Sequence, residues 1–112
     1  MIEVQENYFT EQKTAEREID ASTLHKAEFA VPAVDGKAHW HRFDACLYLL
    51  EGTLHLTDVA AEKVLEIRPG CKVYIPEGTL HAERSAGYRV LLGASVPPDQ
   101  FGNPVDIPPE NR

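Results

Sequence analysis

From residue 23 to 95 the chain alternates short runs rich in Val, Leu, Ile, Tyr and Thr with clusters of turn residues. The runs cover residues 24–31, 37–41, 45–50, 53–57, 63–67, 72–75, 80–84 and 88–94. Asp35-Gly36, Glu51-Gly52, Pro69-Gly70, Pro76-Glu77-Gly78 and Ala86-Gly87 divide them. Strands this short and this evenly spaced predict an all-β, antiparallel sandwich or barrel. No sustained helical period interrupts them, which disfavours an α/β fold.

The flanks differ in character. Residues 1–22 form a polar arm, and acids outnumber bases six to two over its first twenty residues. One short helix over 10–19 is expected there, although its apolar periodicity is poor. Residues 96–112 hold five of the eight prolines and read as an extended tail. One domain at 23–95 with two appendages is the expected organisation.

Composition narrows the function. The net charge is −7, and an acidic domain repels phosphate backbones, so neither nucleic acid nor an anionic membrane is an expected partner. No apolar run is long enough to span a bilayer, and the first residues lack the basic and apolar regions of a signal peptide. A cytoplasmic protein is expected. Cys46 and Cys71 share no metal-binding spacing and read as buried free thiols.

The chemistry sits in the histidines. His39 and His41 are two apart, so on a strand both imidazoles project to one face while Trp40 points away. His81 lies on a separate run, just after a turn built on Pro76 and Gly78, where it can face inward. Three neutral imidazoles from neighbouring strands suit zinc, iron, nickel, copper or manganese and leave positions open for a ligand. His25 and His55 have no partner at such a spacing and are read as ordinary surface positions.

These residues resemble the cupin superfamily. Its second motif, G-x5-P-x-G-x2-H-x3-N, is matched at Gly70, Pro76, Gly78 and His81, with Ser85 in the last place. Its first motif, G-x5-H-x-H-x(3,4)-E-x6-G, is matched at His39, His41 and Gly52. Ala33 stands where the leading glycine is usual, and Ala45 where the acidic ligand is usual. The resemblance covers residues 24–95. It implies a double-stranded β-helix, the cupin jelly-roll barrel, with a divalent metal inside, and it suggests a homodimer. Without an acid at Ala45 the site resembles the three-histidine cupins, which include thiol dioxygenases and a diketone-cleaving dioxygenase. Asp44 and Glu83 are candidate substitutes for the missing acid. Cys46 has the opposite strand parity from Ala45 and points away.

A metal held by three neutral ligands keeps its full charge and favours small anionic ligands such as an enolate or a thiolate. A dioxygenase acting on a diketone, enol or thiol is therefore one expectation, with Glu83, Tyr74 and Tyr88 as the groups that orient or protonate the ligand. Two alternatives stand beside it. One is a binding module that senses a small ligand or metal. The other is an isomerase of a sugar or small acid, with Glu83 as its base.

Overall fold

The computed structural model describes residues 1–112. Seven strands form one antiparallel sheet curled into a barrel. They are β1 (Glu3–Gln5), β2 (His25–Asp35), β3 (Ala45–Gly52), β4 (Leu54–Asp58), β5 (Lys63–Ile67), β6 (Lys72–Ile75) and β7 (His81–Ala94), with one helix, α1 (Gln12–Asp20). The antiparallel all-β barrel expected from the rhythm of short runs, and the jelly roll that the cupin resemblance implies, are the fold found.

β7 organises the sheet. Along one edge it pairs with β2, from His25↔Ala94 to Asp35↔Arg84. Its other edge is shared: β3 takes the C-terminal half, from Ala45↔Ala94 to Gly52↔Tyr88, and β4 takes the N-terminal half, from His55↔Arg84 to Asp58↔His81. β6 and then β1 continue beyond β3, and β5 continues beyond β4.

The break expected at Ala86-Gly87 is not a break. Gly87 adopts φ 132°, a region that side chains disfavour, and the strand runs on through it. The Ser85 hydroxyl repairs the ladder there, donating to the Thr53 carbonyl at 2.6 Å and accepting from the Gly87 N–H at 3.1 Å. Opposite lies Gly52, at φ 82°, where a Cβ would stand 2.3 Å from the Gly87 carbonyl oxygen. Only glycine permits the two backbones to approach so closely. The run 37–41 is not a regular strand either. It continues the path of β2 with isolated bridges at His39 and Trp40.

Strand alternation divides the apolar residues into two clusters. Ala45, Leu49, Leu54, Leu56, Val73, Ile75, Val90 and Leu92 fill the barrel. Cys46, Tyr48 and Leu91 face the other way and are covered by Phe9, Ala15 and Ile19. Ala15 and Ile19 are four apart, so α1 buries a stripe only two residues wide, which explains its faint period in the sequence. Both cysteines are buried and free. The tail is anchored as well, since Phe101 and Ile107 are buried. No helix is long and apolar enough to cross a membrane.

One polar cluster fastens α1 to the sheet. Glu18 accepts hydrogen bonds from the hydroxyls of Tyr8 and Tyr48 and from Lys72 Nζ, the last at 2.8 Å. Burial pushes the Glu18 carboxyl up, but the bonds from Lys72, Tyr48 and Tyr8 outweigh it and hold the group below the usual carboxylate range. A depressed folded-state pKa means the stabilisation is complete above the unfolded value and is lost as pH falls through the folded one. Glu18→Gln should therefore lower the unfolding free energy at pH 7 by about 1 kcal/mol, a small value because the side chain is partly exposed. Urea titrations of both proteins should show the difference shrinking as pH drops below about 4.

Candidate metal centre

The first two histidines are positioned by backbone pairing. His39 N–H donates to the His81 carbonyl and His81 N–H to the His39 carbonyl, both at 2.9 Å. This reciprocal pair sets the start of β7 beside the segment that follows β2. Gly78, at φ 80°, then donates its N–H to the His41 carbonyl at 3.0 Å. The turn of one motif thus holds the histidine pair of the other.

The three rings converge. Their centroids lie 4.4 Å apart for His39 and His81, 4.9 Å for His41 and His81, and 5.1 Å for His39 and His41. One nitrogen from each lies within 4.8 Å of the others. The hydrogen bonds select which nitrogens face inward. His81 Nδ1 bonds to the Thr79 carbonyl at 2.8 Å, and His39 Nδ1 to the Lys37 carbonyl at 2.9 Å. Both bonds require Nδ1–H, so each Nε2 carries a lone pair. His41 stacks on Phe43 at 5.0 Å, and Phe43 stacks on Phe101 of the tail at 4.4 Å.

A metal ion fits this donor set. His81 is fully buried, and its Nε2 has no hydrogen-bond partner, nor has His41 Nδ1. Leaving such an atom unpaired costs about 1–3 kcal/mol, and a coordinated cation removes that cost. Burial also draws the His81 pKa down to about 4, so the ring is neutral and able to ligate near pH 7. His25 and His55 lie outside the cluster.

The candidate acids are placed differently from one another. Asp44 does not reach the centre: its carboxylate accepts the Glu77 N–H at 2.8 Å and caps the turn before Gly78. Ala45 is buried in the barrel interior, and Cys46 faces α1. Glu83 lines a cleft of about 330 Å³ together with Lys37, His39, Asp106 and Glu110. Burial pushes the Glu83 carboxyl up, and the Tyr88 hydroxyl donates to it at 3.1 Å. Tyr74 is not brought there. It alternates with Val73 and Ile75, so it packs against the cluster beneath α1.

Asp106 carries no mark in the sequence reading. Its Oδ1 lies 2.9 Å from His41 Nε2 and 3.6 Å from His39 Nε2. Two reciprocal 3.0 Å backbone bonds between Trp40 and Ile107 hold it, and Trp40 Nε1 donates to the Pro108 carbonyl. The outward-facing Trp40 is thus the tail's anchor. Val105-Asp106-Ile107 is a three-residue alternation among prolines, too short to mark a paired segment.

Comparison with known proteins agrees with the fold. The cupin domain family matches residues 25–92. A DUF861 family protein from Thermotoga maritima superposes with a TM-score of 0.62 at 16% identity, covering 82% of this chain and 97% of that one. The polyketide cyclase RemF from Streptomyces resistomycificus gives 0.55 at 27% identity, covering 65% and 55%. KdgF from Halomonas sp. gives 0.52 at 14% identity, covering 88% and 83%. No curated protein sequence matches the chain.

His81→Ala should abolish stoichiometric binding of a divalent transition metal, measured by elemental analysis of protein purified without an affinity tag. In thermal melts, added metal should raise the Tm of the wild type and leave that of His81→Ala unmoved.

Proposed function

The chain belongs to the cupin family, and on that premise we propose that it is a metal-dependent enzyme acting on a small, enolisable carbonyl compound. The observation that carries this reading is the shared cleft of His39 and Glu83. A metal at the three histidines polarises a bound oxygen when present. Glu83 shares strand parity with His81, and a ligand held at the centre fills the cleft into which its carboxyl opens. The Tyr88 hydroxyl fixes that carboxyl, so Glu83 can take a proton from a carbon next to the carbonyl and return it. The cleft walls, closed on one side by Pro108 and Pro109, limit the substrate to a small molecule. RemF, whose name is that of a polyketide cyclase, supports a carbonyl substrate.

Cleavage by oxygen is less well supported. That expectation rests on a centre without a protein carboxylate, and Asp106 stands beside two of the imidazoles. The test is proton–deuterium exchange followed by NMR over a panel of small diketones and hydroxyketones, with oxygen uptake recorded in parallel. The metal-loaded protein should exchange the carbon-bound proton, and Glu83→Gln should slow exchange about 100- to 10,000-fold while retaining its metal. Oxygen consumption with iron would instead favour the dioxygenase. Tight ligand binding without exchange or oxygen uptake would favour a binding module.

Assembly as a homodimer belongs to the same proposal. β2 pairs with a strand on one edge only, and Phe29 on it is exposed. A free edge of eleven residues is a template for pairing with a second copy. Light scattering at micromolar concentration should give twice the monomer mass, and Phe29→Lys should return the monomer.

A further inference from the structure

We infer that Asp106, on the proline-rich tail, is a fourth protein ligand of the metal and supplies the carboxylate that Ala45 cannot. The inference rests on the metal-centre reading above and adds a residue to it.

Geometry separates ligation from a supporting role. A carboxylate that merely orients a ligating histidine bonds the nitrogen turned away from the metal. For His39 that nitrogen is Nδ1, and the Lys37 carbonyl already occupies it. Asp106 approaches the opposite nitrogen, Nε2, the one left free to ligate. It also bonds His41 at Nε2. The His39 ring, whose Nδ1 is taken, is the one that places its oxygen on the metal side. Neighbouring ligands around a first-row cation, with bonds of about 2.0–2.1 Å, stand about 3.0–3.4 Å apart. The observed 3.6 Å between Asp106 Oδ1 and His39 Nε2 lies close to that spacing. Without metal, a hydrogen bond between His41 Nε2 and Asp106 Oδ1 holds the pair together.

The placement is built rather than incidental. Asp106 immediately precedes Ile107, which is buried and doubly bonded to the backbone of Trp40. Trp40 is itself the residue between the two histidines. The tail thus adds a short rung to the outer edge of the histidine segment, and strand geometry carries the Asp106 carboxylate to the rings. Ala45 enters from β3, on the opposite side of β7, so the acid reaches the centre from a different element than the family motif uses.

The test compares wild type, Asp106→Asn, Asp106→Ala, Glu110→Gln and His81→Ala, each loaded with Co(II) or Zn(II). Affinity is measured by competition with a chelator, and ligand number by X-ray absorption. Asp106→Asn keeps the shape and a hydrogen-bond acceptor, so a role limited to orienting His41 survives it. Ligation does not: both Asp106 variants should bind about 10- to 100-fold more weakly. Each should also lose one protein oxygen from the metal's coordination, with an altered Co(II) absorption band. Glu110→Gln removes a charge from the same cleft and should change affinity by less than about threefold. Unchanged affinity and absorption in Asp106→Asn would overturn the inference, as would an equal loss in Glu110→Gln. A wild type that binds no metal would instead sink the metal centre itself, and metal bound equally by His81→Ala would move it elsewhere.

Discussion

The site depends on one backbone interaction, the reciprocal hydrogen bond between His39 and His81. β2 and β7 pair over ten positions, and this bond extends that pairing beyond the end of β2. Without it the segment 36–41 would be an ordinary surface connection, since it has no regular strand of its own. With it, two imidazoles separated by about forty residues come within ligand distance, and the orphaned Nε2 of His81 gains a purpose. The packing of the barrel serves this bond indirectly. Gly52 and Gly87 let β3 approach β7, the strand that begins at His81, closely.

A second layer of bonding acts from outside. The segment 39–41 has two edges. His39 turns its backbone groups to β7, and Trp40 turns its own to Ile107. In a strand these groups alternate in direction from residue to residue, so the barrel and the tail clamp the same three residues from opposite sides. Stacking of Phe101 on Phe43, and of Phe43 on His41, continues the clamp through side chains. The tail is therefore part of the centre and not an appendage to it.

How much of this was legible depends on the separation of the partners. The barrel follows from the local rhythm of apolar runs and turn residues, and the turn at Pro76 and Gly78 from residues within one short segment. The histidine set followed from parity plus one matched motif. Gly87 misled because a glycine after an apolar run can mark either a turn or a bulge within a strand, and the Ser85 bridge to Thr53 decides between the two. Tyr74 misled because the register against Cys46, rather than polarity, sends its ring to the helix side. Asp106 was invisible because its partner is 65 residues away, and no pattern within the tail encodes that contact.

The position of the acid alters what the centre can favour. A three-histidine site would leave a cation its full double charge and draw anionic ligands strongly. With Glu83, Asp106 and Glu110 around one cleft and Lys37 the only cation lining it, that pull is reduced. A strongly anionic substrate would meet like charges at close range, where each costs more than it would in water. A neutral carbonyl compound that develops negative charge only as its proton moves to Glu83 avoids that repulsion in the ground state. A metal held by the three histidines would attract that charge only as it forms, the kind of differential that accelerates a reaction. The acidic lining, unfavourable for holding an anion, is thus compatible with making one transiently, and this is the reason to prefer proton transfer at carbon over simple capture of an anionic ligand.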